Sequence, residues 1–263
     1  MQAEPIPPAA ERAHQPGRGR GWEESWYLDF AAPDGSLAGY VRLGLRPAEG
    51  VAWFWAGVVG GGPPLVAVRD HEVPLPSGPG LEVRASGLWT ELVCETPLDH
   101  WSVGLEAFGV ALDDPTEAWR SERGDPCALG LDVEWEAAAP CSAWPGPGAQ
   151  DGYSQACHAH GDVLVGRERF QLDGSGLRIH LWGERDWAGP WAWAAEGTAS
   201  VVTGDGIEAD VGPDGLLRTA RVGPRTAVAL AHSPVLLPAG GRLDRAFCRY
   251  DPGGGFGWVE RLA

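Results

Sequence analysis

Arg178-Ile179-His180-Leu181-Trp182-Gly183-Glu184-Arg185-Asp186-Trp187 alternates polar and apolar side chains up to a glycine, then turns charged. Read as a β-strand, it points Leu177, Ile179 and Leu181 to one face and Arg178, His180 and Trp182 to the other. The first set is an ordinary core face. The second combines a cation, an imidazole and an indole, a mixture suited neither to a dry core nor to open water. A lined cavity would suit all three, and pairing of Arg178 and His180 with carboxylates would suit the two polar ones. Gly183 ends the strand, and Glu184 to Trp187 form a charged turn at its mouth.

Working outward, the same strand pattern recurs. Trp26 to Phe30, Pro33-Asp34-Gly35-Ser36 and Leu37 to Leu45 read as a hairpin around a turn. Val51 to Val59, Leu65 to Val73, Leu88 to Glu95, Trp101 to Leu112 and Leu129 to Glu136 follow as further strands, separated by Gly and Pro. After residue 150 the meander resumes and runs to Arg261. Only the segment from Asp114 to Trp119 carries a helical start signal, with Asp114 as cap and Pro115 at the first position. The reading is all-β, in two barrel-like domains at residues 22–140 and 151–263. The Pro- and Gly-rich stretch 141–150 is expected as their linker, and 1–21 as a disordered leader.

The composition narrows the function. The chain has 263 residues and a formal net charge of −16, with 20 basic residues, all of them arginine. Lysine Schiff-base chemistry is thereby excluded, and nucleic acids and anionic membrane surfaces are disfavoured as partners. No apolar run has the length of a membrane span, and the start lacks the apolar segment of a secretory signal, so a cytoplasmic location is expected. Five widely spaced cysteines without a CxxC pair suit reduced thiols. The 14 tryptophans include pairs two apart, Trp53/Trp55 and Trp191/Trp193, each on one strand face. Such aromatic walls suit sugars, polyenes or carbocations.

Gly176-Leu177-Arg178-Ile179-His180-Leu181-Trp182-Gly183 followed by Arg185-Asp186-Trp187 resembles the mark of the family of carotenoid 1,2-hydratases, kievitone hydratase and AttH-like proteins. Glu95-Thr96-Pro97-Leu98-Asp99-His100-Trp101 resembles a second segment of that family. The resemblance implies two lipocalin-like (calycin) β domains and a hydrophobic, polyene-type ligand handled without a cofactor. Relatives of the same superfamily include lipocalin-like Diels–Alderases. The family often carries Asp just before the motif His and a polar residue after it, whereas Ile179 and Leu181 stand here. Asp186 or Asp99 would then have to supply the acid.

The residues expected to carry chemistry are therefore Asp186, His180 and Asp99, with Arg178, Trp182, Trp187, Trp101, Arg185 and Trp191 binding the ligand. A carboxylic acid in an apolar pocket stays protonated near neutrality, tryptophan faces stabilise a cation, and histidine can orient water. The expected activity is acid-initiated hydration or cyclisation of an isoprenoid, terpenoid or polyene. The alternatives are a Diels–Alderase-like pericyclic cyclase, a non-catalytic carrier of the same ligand class and a carbohydrate-active protein. His158 and His160 share a strand face but lack an evident third ligand nearby, so no metal is expected. No phosphate loop, dinucleotide fingerprint or nucleophile elbow is present.

Overall fold

The computed structural model describes residues 5–60, 64–120, 123–145, 150–197 and 201–262. The strands in chain order are β1 Trp22–Ala31, β2 Ala38–Arg46, β3 Val51–Val59, β4 Leu65–Pro74, β5 Leu81–Ala85, β6 Leu88–Thr96, β7 His100–Leu112, β8 Asp125–Ala137, β9 Ser142–Ala143 and β10 Gln150–Val165. They continue with β11 Glu168–Glu184, β12 Trp191–Glu196, β13 Val202–Thr203, β14 Ile207–Val211, β15 Leu217–Val222, β16 Arg225–His232, β17 Val235–Leu236, β18 Arg242–Asp251 and β19 Gly255–Leu262. All strand pairings are antiparallel. Among the described residues there is no α-helix. The segment expected to be helical is a 3-10 turn, Pro115–Trp119, whose cap Asp114 accepts from the Thr116 backbone N–H at 2.9 Å.

The first sheet runs β4-β3-β2-β1-β11-β10-β8-β7-β6-β5, and β4 also pairs with β7 from Leu65↔Leu112 to Ala67↔Val110. That pairing closes the sheet into a barrel. The second sheet runs β13-β12-β19-β18-β16-β15-β14 and packs on one side of the barrel. β1 is buried along its whole length because both its faces are covered. Trp26, Leu28 and Phe30 fill the barrel interior with Phe54, Trp101 and Trp135. Tyr27 and Ala31 face the second sheet, together with Trp55, Ile179, Leu181, Trp193, Phe247 and Trp258. The Trp53/Trp55 pair lies on this second face, as its spacing of two requires.

Two expectations are corrected. The stretch 141–150 does not separate the halves, because β9 within it pairs with β10, and β10 and β11 belong to the first sheet. The change of sheet falls instead between Glu184 and Trp191. Proline and glycine mark breaks in strand pairing, and a break within one sheet looks the same in sequence as a break between two. The expected disordered leader is also placed. From residue 5 onward it forms a strap across one end of the barrel, with a 3-10 turn at Pro8–Glu11 and Glu11 only 5% exposed. The five cysteines are all unpaired.

Candidate functional site

β11 carries the motif, and its two faces lead to two different places. Gly176 starts it because the strand passes tightly under Asp29 and Trp135: a Cβ there would lie 2.3 Å from the Asp29 carbonyl oxygen. Arg178, His180 and Trp182 then point to the end of the barrel that the strap covers, while Leu177, Ile179 and Leu181 face the second sheet.

At the covered end the polar groups are mutually satisfied. Arg178 donates to both carboxylate oxygens of Glu11 at 2.9 Å, to the Tyr153 hydroxyl at 3.2 Å and to the Gln155 side-chain carbonyl. Its side chain and that of Glu11 are each 2% exposed. Tyr153 donates to Glu11 at 2.5 Å. Burial acts to lower the guanidinium pKa, but the charge and hydrogen bonds of Glu11 and the nearby Tyr153 raise it beyond the ordinary arginine value. Trp101 stands 5.5 Å from the Arg178 guanidinium carbon, so the structure brings the two motif segments together. His180 is fully buried, stacks on Trp26 at 4.5 Å and meets a Glu24 carboxylate oxygen at 2.9 Å through Nε2. Burial lowers its pKa and favours the neutral ring, with Glu24 opposing. His14 of the strap meets the same oxygen at 2.8 Å and stacks on Trp182 at 3.8 Å.

Asp99 is exposed in the turn before β7 and lies apart from this cluster. That turn holds Leu98 at φ 63°, a left-handed conformation rare for leucine. Its backbone N–H donates to Glu11 and its carbonyl accepts from Gln155, both at 2.8 Å.

The residues after Gly183 sit elsewhere. Gly183 takes φ 125° but does not end the strand, which stays paired through Glu184 before the chain leaves it. Arg185, Asp186 and Trp191 join Trp144, Gln150, Glu184, Pro190 and Trp193 around a cleft of about 560 Å³, a size that accepts a small organic ligand. Asp186 is exposed at its rim, and one of its oxygens accepts from the backbone N–H of Ala188 at 2.8 Å and of Gly189 at 3.2 Å. Trp187 lies behind the rim, 5.4 Å from Trp53 and 5.6 Å from Trp55, and donates to Glu23 at 2.9 Å. Asp186 and His180 therefore stand on opposite sides of β11 and do not form one site.

Beneath the cleft lies a buried ionic layer that the sequence reading did not single out. Glu23 pairs with Arg42 and Arg46, and Glu260 with Arg245. Burial pushes the Glu23 carboxyl up, but the Arg42 and Arg185 guanidiniums outweigh it and hold the pKa below the ordinary value. Asp29 on β1 is also buried, accepting from the Leu177 backbone N–H at 2.7 Å and the Tyr27 hydroxyl at 2.9 Å. Burial pushes its pKa to about 7.

Two donor sets among the described residues have the proximity a divalent ion needs: His14, Glu24 and His180, and Glu136, His158 and His160. Glu136 is the neighbouring donor that the sequence did not reveal for the histidine pair, with one oxygen 3.8 Å from His160. In the buried set one Glu24 oxygen already meets both rings, so hydrogen bonding accounts for the arrangement.

A barrel of this order with a second antiparallel sheet against it is the two-part lipocalin-like fold. The model of a family described as a domain of unknown function, DUF7064, matches residues 7–199, and the chain belongs to that family. Among solved structures it is similar to an AttH-type protein of Nitrosomonas europaea, at 13% identity and TM-score 0.59, covering 91% of this chain and 92% of that one. It is also similar to CghA solved with Sch210972, at 12% identity and TM-score 0.50, covering 95% and 93% of the two chains. Kievitone hydratase from Nectria haematococca matches at 10% identity and TM-score 0.51, covering 91% and 88%. The likeness bears out the AttH-type fold expected from the motif. No curated protein matches the chain by sequence.

Proposed function

We propose that the protein is an enzyme of the hydratase or cyclase kind that receives a hydrophobic isoprenoid or polyene in the cleft between barrel and second sheet. The observation that carries this is the cleft itself, about 560 Å³ with Trp144, Trp191 and Trp193 lining it beside Glu184, Arg185 and Asp186. Tryptophan faces contribute large apolar contact and attract developing positive charge. Two fold neighbours give indirect support, one named a hydratase and one solved with the small molecule Sch210972.

Cyclisation by confinement suits the geometry best, because it asks the protein to shape the substrate and shield it from water. The parts of an acid–base pair are not assembled, since His180 is buried on the far side of β11 and Asp186 is tied to its own turn. Acid-initiated hydration remains the second reading, favoured by the presence of Glu184 and Asp186 on the cleft wall. A substrate that dried the cleft would raise either carboxyl group towards protonation.

The test uses retinol, a neutral isoprenoid polyene, titrated into the protein while tryptophan fluorescence is followed. Saturable binding is expected, and Trp191→Ala should weaken it about tenfold, equivalent to roughly 1.4 kcal/mol of lost stacking. Absence of saturable binding, or binding indifferent to Trp191, would overturn the cleft as the substrate site. Once a substrate is known, Asp186→Asn separates the two chemistries. Confinement predicts a turnover loss smaller than tenfold, and acid initiation a loss of two orders of magnitude or more.

A further inference from the structure

The ionic layer beneath the cleft contains a guanidinium that its carboxylates match poorly, although Glu184 and Asp186 stand on the cleft wall. The ion pairs of this layer join Arg42, Arg46, Arg185 and Arg245 to Glu23, Glu49 and Glu260. Within these pairs Glu23 is shared by Arg42 and Arg46, and Glu260 by Arg185 and Arg245.

Arg185 is the poorly matched member. Its side chain is 10% exposed, and its nearest carboxylate, Glu260, lies at 3.9 Å, beyond hydrogen-bond range. Glu260 is already engaged by Arg245 and by the Trp193 indole N–H. The Arg185 guanidinium carbon lies 4.2 Å from the Trp187 ring and 4.7 Å from the Trp191 ring, an aromatic cradle that fixes its plane. Burial and the neighbouring Arg42 guanidinium draw its pKa down to about 9, so it stays charged at neutrality.

Further in, Arg42 keeps Nη1, and Arg245 keeps Nε and Nη2, buried without a hydrogen-bond acceptor among the described residues. A void of about 20 Å³ lies beside Arg42, lined also by Arg185 and Glu260 but not by Arg245, and it shares Trp144, Arg185 and Trp193 with the cleft. Buried donors are normally satisfied, and a buried cation without a full partner is costly. A planar two-oxygen acceptor is what a fixed guanidinium edge pairs with best.

We propose that the ligand of this cleft is an amphipathic carboxylate, an apolar polyene or aromatic body whose acid group is met by Arg185 with Arg42 behind it. This rests on the reading of the cleft as the substrate site and specifies the chemistry at its inner end. The aromatic walls take the body, and the acid supplies the close acceptor that Arg185 lacks.

The test compares retinoate, retinol and methyl retinoate, which share one isoprenoid body and differ at the head. Wild-type protein should bind retinoate at least tenfold more tightly than the alcohol or the ester. Arg185→Gln should reduce that ratio below threefold, and Arg185→Lys should retain part of it. Should the glutamine variant fail to fold, the wild-type ratio and the lysine variant still decide. Equal affinity of all three for the wild type would overturn the carboxylate proposal and leave the apolar cleft standing. A preference for retinoate that survives Arg185→Gln would overturn it as well, by placing the acid elsewhere. Failure of all three to bind would overturn both the carboxylate proposal and the cleft reading.

Discussion

Arg178→Met is expected to destabilise the protein by about 3–5 kcal/mol, the usual cost of removing one partner from a buried ion pair. The substitution keeps an apolar side chain of similar length under the strap and deletes the guanidinium. Glu11, 2% exposed at its side chain, would then retain only the Tyr153 hydroxyl and the Leu98 backbone N–H as donors. Chemical unfolding followed by tryptophan fluorescence measures the loss, and a fall in Tm of roughly 6–20 °C should accompany it, at about 2–4 °C per kcal/mol for a chain of this size. Because Glu11 anchors the strap, proteolysis within residues 5–21 should accelerate in the variant. The double variant Arg178→Met/Glu11→Leu should recover part of the stability, since it removes the stranded charge along with its partner. If Arg178→Met stays within 1 kcal/mol of the wild type, the cluster is not structural and Arg178 returns as a ligand-binding residue.

That expectation differs from the sequence reading, and the reason is physical. Alternation correctly put Arg178, His180 and Trp182 on one face, because strand periodicity is a local property. What covers that face is not local. Glu11 and Glu24 arrive 167 and 156 residues away in sequence, and nothing in a Pro- and Ala-rich start announces that one glutamate will be buried. The β character was legible from the Gly and Pro punctuation, and the facing of Trp53/Trp55 from their spacing. The division between sheets was not, since a long β10–β11 hairpin that completes a barrel reads like one that opens a new domain. The parting of Asp186 from His180 follows from where the chain leaves β11, after Glu184 and before Asp186. The glycine in the motif does not mark that point, since Gly183 is itself paired within the strand. The ionic layer around Glu23 was hidden for another reason. In Trp22-Glu23-Glu24-Ser25-Trp26 two adjacent acids on a strand point to opposite faces, and the usual fate of at least one is solvent, whereas here both faces are covered.

Asp29→Asn is expected to make stability less dependent on pH, and to stabilise the protein at and above neutrality. The Asp29 carboxyl lies 4% exposed between the barrel and the second sheet. Burial raises its pKa from 3.8 to about 7, and the hydrogen bonds from Leu177 and Tyr27 with the charge of Arg245 offset only part of that rise. The folded state therefore holds this proton more tightly than the unfolded chain does. Between about pH 4 and pH 7 the unfolded chain has lost the proton while the folded protein keeps it, so this group's contribution falls as pH rises through that window and is constant above it. Three pKa units correspond to roughly 4 kcal/mol as an upper bound. Asparagine cannot ionise. Its carbonyl can accept from Leu177, and its amide can donate to the Tyr27 oxygen once that hydroxyl rotates. The difference in unfolding free energy between variant and wild type should thus be small at pH 4 and grow in favour of the variant towards pH 8. Urea titrations at intervals of half a pH unit would trace the curve, and the pH at which it levels off should report the folded pKa near 7. A difference that stays flat across this range would show that Asp29 titrates at its ordinary value, ionised and solvated by groups the barrel interface must then provide.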